Sequence, residues 1–75
     1  MERYADLSGQ SGVAAYEIGD DYIRVQFKDG SVYLYTYESA GREHIETMKA
    51  LACKGEGLNG YINRCVRKRY ARKER

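Results

Sequence analysis

Residues 22–37 read Tyr-Ile-Arg-Val-Gln-Phe, then Lys28-Asp29-Gly30, then Ser-Val-Tyr-Leu-Tyr-Thr-Tyr. This is the pattern of a β-hairpin. Ile23, Val25 and Phe27 alternate with Tyr22, Arg24 and Gln26, and a period of two marks a half-buried strand. Residues 31–37 are β-branched and aromatic, as strands prefer. The Asp-Gly pair between the two runs carries the turn.

The length of the turn is open, and it matters. A two-residue Asp29-Gly30 loop pairs Phe27 with Val32 and Val25 with Leu34. Tyr33, Tyr35 and Tyr37 then stand on the outer face beside Arg24 and Gln26. A three-residue loop, with Gly30 in the left-handed bulge position, pairs Phe27 with Ser31, Val25 with Tyr33 and Ile23 with Tyr35. The tyrosines then join the core face and Leu34 turns outward. One residue of slip exchanges the whole set. Exposed tyrosines next to an arginine form a surface on which bases stack, whereas buried ones are core with hydroxyls at the rim.

The flanking segments complete an α+β domain. Residues 1–12, ending Ser8-Gly9-Gln10-Ser11-Gly12, read as a flexible leader. Residues 13–18 form a first strand, and Gly19-Asp20-Asp21 a turn. A helix is expected over 39–53, with Ser39 as N-cap and Ile45, Met48, Leu51 and Ala52 toward the sheet. Gly55 stops it. A second helix runs from Leu58 to near Tyr70, with Leu58, Tyr61, Ile62, Cys65, Val66 and Tyr70 at spacings of three and four. The expectation is a small antiparallel β-meander of about three strands followed by two α-helices. The domain would span 13–70, with a basic tail at 71–75.

A chain of 75 residues makes one domain, and at that size about 60% of the unfolded chain's surface is buried. No stretch approaches the roughly 20 apolar residues of a membrane helix. The N-terminus lacks the apolar core of a signal peptide, so a cytoplasmic protein with no membrane partner is expected. The net charge of +2 conceals an asymmetry. Residues 1–63 carry six basic and ten acidic side chains, whereas residues 64–75 carry seven basic side chains and one acid, Glu74. Segregation of this kind points to partners rather than to fold.

The chemistry-bearing residues make no catalytic constellation. Cys53, Cys65 and His44 are three candidate ligands where a closed zinc site takes four. Cys53 lies near a helix C-terminus, where the dipole opposes a thiolate, and Cys65 lies on an apolar stripe. Asp20-Asp21 reads as a solvated turn. Gly55-Glu56-Gly57 reads as helix punctuation rather than a phosphate cradle. No enzyme activity, metal or cofactor is expected.

Several of these residues, taken together, are familiar. Ser11-Gly12-Val13, the Ile23-x-Val25-x-Phe27 strand, Gly30, Tyr33-Leu34-Tyr35, Lys54-Gly55, and Leu58-Asn59 with Ile62 resemble the KTSC domain. That small family occurs at the C-terminus of some lysyl-tRNA synthetases and as a stand-alone bacterial protein. The likeness covers about residues 11–64. The chain departs from it at Cys53, where the family tends to have Ser, and at Gly57, where it tends to have an aromatic. The residue between the two family tyrosines is often polar, which implies that Leu34 faces outward, the three-residue loop is used, and Tyr33 and Tyr35 face the core. RNA binding has been suggested for the family from its synthetase context.

Two functions follow as expectations. In the first, Arg64, Arg67, Lys68, Arg72 and Lys73 on a basic C-terminal helix, with Tyr61 and Tyr70 nearby, contact the phosphates of RNA or another nucleic acid. In the second, the aromatic strand forms a contact patch for a protein partner or a homodimer.

Overall fold

The computed structural model describes residues 1–75 as a five-stranded antiparallel sheet with helices on one face. The strands are β1 (Glu2–Arg3), β2 (Val13–Ile18), β3 (Tyr22–Phe27), β4 (Val32–Thr36) and β5 (Arg72–Lys73), and they lie side by side in sequence order. Between β4 and β5 come α1 (Tyr37–Ala40), α2 (Arg42–Lys54), α3 (Leu58–Tyr61) and a π-helical turn (Ile62–Val66) that continues α3. The class is α+β, but the three-stranded meander with two helices is corrected to five strands with a broken helical layer.

The central hairpin closes through the three-residue loop. Phe27 N–H donates to Ser31 O at 2.9 Å and Gly30 N–H to Phe27 O at 2.9 Å, with Gly30 at φ 93°. Asp29 Oδ1 accepts from Ser31 N–H (2.9 Å) and Oγ (2.7 Å), which locks the turn and holds the Asp29 carboxyl below its ordinary range. Val25 therefore pairs with Tyr33 and Ile23 with Tyr35. Strand β2 joins the same core face with the help of a bulge between Val13 and Ala15. The extra residue lets both Val13 and Tyr16 face inward although the sequence Val-Ala-Ala-Tyr breaks the period of two.

The core forms between that face and the helices. Val13, Ile23, Val25 and Tyr35 meet Ile45, Met48 and Ala52 of α2 and Leu58, Ile62 and Val66 of the last helical segment. Thr36, not Ser39, is the first N-cap. Its hydroxyl accepts from Ser39 N–H while Ser39 Oγ receives the Thr36 N–H, a reciprocal box that starts a helix directly off the strand. Gly41, at φ 97°, separates α1 from α2, so the helix expected over 39–53 is two helices.

Both chain ends depart from expectation for the same reason, which is that each has sheet edge to pair with. The leader of 1–12 packs onto the body: Glu2 and Arg3 pair with Tyr16 and Ala15, and Tyr4 is buried. The Leu58 N–H donates to Tyr4 Oη at 3.3 Å. Gly12 N–H donates to Asn59 Oδ1 at 2.6 Å. At the other end, residues 71–75 are not a free tail. Lys73 pairs with Tyr33 and Arg72 with Leu34, through bonds such as Ala71 N–H to Leu34 O (2.6 Å) and Glu74 N–H to Val32 O (2.7 Å).

Leu34 does turn to the face away from the helices, yet it does not meet water: it is 7% exposed. Arg24 and Arg72 are its cross-strand neighbours, and long charged side chains lay their aliphatic stems over apolar surface. Above it runs a chain of ion pairs across the sheet: Glu17 to Arg24 (2.7 Å), Arg24 to Glu74 (2.7 Å) and Glu74 to Arg72 (3.1 Å).

Candidate nucleic-acid interface

Helical structure ends after Val66, where Arg69 N–H closes onto Val66 O at 2.9 Å. Residues 67–71 then cross the open end of the core face to reach β5. The second helix expected to reach Tyr70 is therefore shorter, and its last part is wound as a wider π turn. The common helical face assumed for Arg64, Arg67, Lys68 and Arg72 does not exist. Arg64, Arg67 and Lys68 are exposed around the helix end. Arg72 and Lys73, as neighbours in a strand, point to opposite faces of the sheet. Arg72 joins the ion pairs over Leu34. Lys73 lies on the helix side, its Nζ 5.8 Å from the centre of the Tyr33 ring.

This split separates neutralised cations from free ones. Of the seven basic residues in 64–75, only Arg72 has an ion-pair partner within 4 Å. Elsewhere, Arg24, Lys28 and Lys49 are paired with Glu17 and Glu74, Asp6, and Glu46. The Arg24 guanidinium, with Arg72 beside it, holds the Glu74 carboxyl below its ordinary range. Arg64, Arg67, Lys68, Arg69, Lys73 and Arg75 remain without a carboxylate. Unpaired, exposed cations are the groups that exchange counterions for phosphates.

Between the crossing segment and the hairpin turn lies a cleft of about 460 Å³. Its walls are Phe27, Tyr33, Tyr35 and Tyr70, and its rim includes Lys28, Asn63 and Arg67. The Tyr70 ring stands edge-on to Tyr33 (4.9 Å between centres, 67°) and to Tyr35 (6.4 Å, 90°), and Tyr33 is edge-on to Phe27 (5.7 Å, 83°). Tyr70 is 40% exposed and is the only aromatic residue that open to solvent. Tyr35 is 2% exposed, and burial, with Tyr33 and Tyr70 nearby, pushes its hydroxyl up to about 12. None of the protein's hydrogen bonds reaches Tyr35 Oη, and no buried side-chain polar atom is left without a partner. That hydroxyl therefore opens onto the cleft floor.

Tyr33 and Tyr35 thus belong to the core face, as the three-residue loop requires, Tyr35 buried in the core and both lining the cleft. Arg67 is the one cation of the expected set that lines the cleft, and Lys73 sits beside it over Tyr33. Arg64 and Lys68 flank the helix end outside it, and Arg72 is on the far face. Lys28, read from the sequence only as part of the turn, and Asn63 were not among the expected binding residues, because their place at the rim depends on how hairpin and crossing segment meet.

The other chemistry-bearing residues are occupied or dispersed. His44 Nδ1 is 2.6 Å from Tyr61 Oη. Cys53 and Cys65 are free thiols, Cys65 packed against the core. No three His, Cys, Asp or Glu side chains converge as a metal site. Gly55 and Gly57, both at positive φ, turn the chain between α2 and α3, and the Leu58 amide there is taken by Tyr4. No helix is long and apolar enough to cross a membrane.

Comparison with known proteins yields no relative. The chain matches no family model, no curated protein and no solved structure.

Proposed function

We propose that the protein is a small, non-catalytic, cytoplasmic module that binds RNA or another nucleic acid through the free cations of residues 64–75 and the aromatic cleft beside them. The observation that carries this reading is the sorting of charge: Arg24 and Arg72 on the far face of the sheet are ion-paired, and Lys28 at the cleft rim is held by Asp6, whereas Arg64, Arg67, Lys68, Arg69 and Lys73 around the helix end and cleft have no carboxylate partner. Phosphate contacts from such residues give affinity without sequence preference. The resemblance to the KTSC family points the same way by analogy alone.

Labelled single-stranded and duplex RNA, titrated at two salt concentrations against wild type and Arg67→Glu/Lys68→Glu, test the reading. Expected are binding at low salt, weaker binding at higher salt, and loss in the double variant. No binding at low salt, or binding indifferent to the double variant, sinks it.

A protein-interaction module or homodimer is the second reading. The aromatic patch on β4 that suggested it is covered, with Leu34 and Tyr35 buried. What it retains is a hollow lined by Met1, Tyr16, Ile18 and Cys53, where Met1 and Ile18 are exposed. A mass that rises with concentration in light scattering, and returns to the monomer in Ile18→Lys, is its signature.

A further inference from the structure

We propose that the cleft between the hairpin turn and the crossing segment takes a single unpaired nucleotide, its base against Tyr70 and Tyr33 and its phosphate at Arg67. This rests on the nucleic-acid reading above and adds to it a substrate class: strands with a base free to leave the stack.

The size and lining fit. A volume of about 460 Å³ lies within the range of about 300–1,000 Å³ for sites that hold small molecules. Such sites are apolar with a few convergent polar groups, and here the walls are four aromatic rings with polar groups on rim and floor. The Tyr70 ring lines the cleft, is 40% exposed, and is braced by T-shaped contacts with Tyr33 and Tyr35. It can offer its π face to a base without first being ordered, which lowers the entropic cost of binding. Tyr35 Oη stays protonated at neutral pH and supplies a hydrogen-bond donor at the floor, where no protein acceptor uses it. Asn63 at the rim supplies both a donor and an acceptor.

The charges fit as well. Lys28 also lines the rim, but its ammonium is held by Asp6 at 2.8 Å. Arg67 has no such partner, and its planar fork suits the two oxygens of a phosphodiester. Lys73, on the Tyr33 ring, adds a second positive charge behind the aromatic wall. Asp29, at the turn, is engaged by Ser31 and stays ionised, which sets an acceptor-only group at one end of the cleft and disfavours a phosphate there. The orientation follows: phosphate toward Arg67, base toward the tyrosines. A paired duplex has its base faces and edges occupied and can reach only the cations, not the cleft.

Three ligands and two variants test this. The ligands are a short oligouridylate, uridine 5′-monophosphate and a blunt RNA duplex of equal phosphate count, followed by NMR chemical shifts and fluorescence anisotropy. The variants are Tyr70→Ala, at an exposed side chain, and Lys68→Gln, outside the cleft. Stacking of one base contributes about 1–3 kcal/mol, so Tyr70→Ala weakens the oligouridylate by about fivefold to about a hundredfold and leaves the duplex unchanged. Lys68→Gln weakens both alike. The mononucleotide moves the amide signals of Ser31, Tyr33 and Asn63. Equal affinity for single strand and duplex, with Tyr70→Ala affecting neither, overturns the nucleotide site and leaves the phosphate-binding reading standing. No binding by any ligand at low salt overturns both.

Discussion

Gly55 meets two demands at once. It ends α2 at φ 79°, and a Cβ there would lie 2.5 Å from the Ala5 side chain. Gly30, at φ 93°, has the same backbone demand with no neighbour within 4 Å. Gly30→Ala should cost about 1–2 kcal/mol, the left-handed penalty alone. Gly55→Ala should cost clearly more, by about 1 kcal/mol or above. Chemical denaturation of the two variants measures the difference, and equal costs mean that Ala5 does not sit where described. The stop at Gly55 was legible from composition. The contact with Ala5 was not, because it depends on the leader folding back. Tyr35 makes a second prediction at this scale. Its raised pKa means that the unfolded chain ionises at about 10 while the folded one holds its proton to about 12. Its neutral form is the one the fold accepts, so stability is unaffected below pH 10 and falls as pH rises from about 10 to about 12. Tyr35→Phe should flatten that part of the stability profile relative to wild type.

Among the elements, the hairpin was the most legible because its chemistry is local. Lys28-Asp29-Gly30 carries both the turn and the left-handed position, and the alternation of β3 then assigns the faces. The break at Gly41 was missed because the helical spacing from Ile45 onward is the same whether or not the chain breaks before Arg42. Strand β5 was illegible for a different reason. Two residues have no periodicity, and Arg-Lys has no strand preference. What pairs them to β4 is the free edge of that strand and the placement of Glu74 between Arg24 and Arg72. Glu74 is held below its ordinary range by Arg24. A depressed carboxylate stabilises the fold above its unfolded pKa, and the contribution is lost as pH falls through the lower folded value. Acidification should therefore release β5 while the rest of the sheet persists. The amides of Ala71 and Glu74 should lose hydrogen-exchange protection before that of Val25. In Glu74→Gln they should be unprotected already at neutral pH, and protection that is unchanged in this variant contradicts the clamp.

Over the whole molecule, the excess of positive charge after residue 63 was plain in the sequence, and the use of that charge was not. A helical tail would have put Arg64, Arg67, Lys68 and Arg72 on one face. The chain instead leaves the helix after Val66, crosses the core end and pairs with β4. That path spends Arg72 on Glu74, keeps Arg67 and Lys73 beside the tyrosines, and opens a cleft that no local pattern announces. If this surface binds nucleic acid, affinity falls linearly on logarithmic axes as salt rises, by about 0.7 in slope per phosphate contacted on a single strand. The direct measurement is that slope for single-stranded RNA, in wild type and in Arg67→Glu/Lys68→Glu. The account predicts a steep negative slope that becomes shallower by about 1 or more in the double variant, with weaker binding throughout. A flat slope in wild type, or the same slope in both proteins, contradicts it.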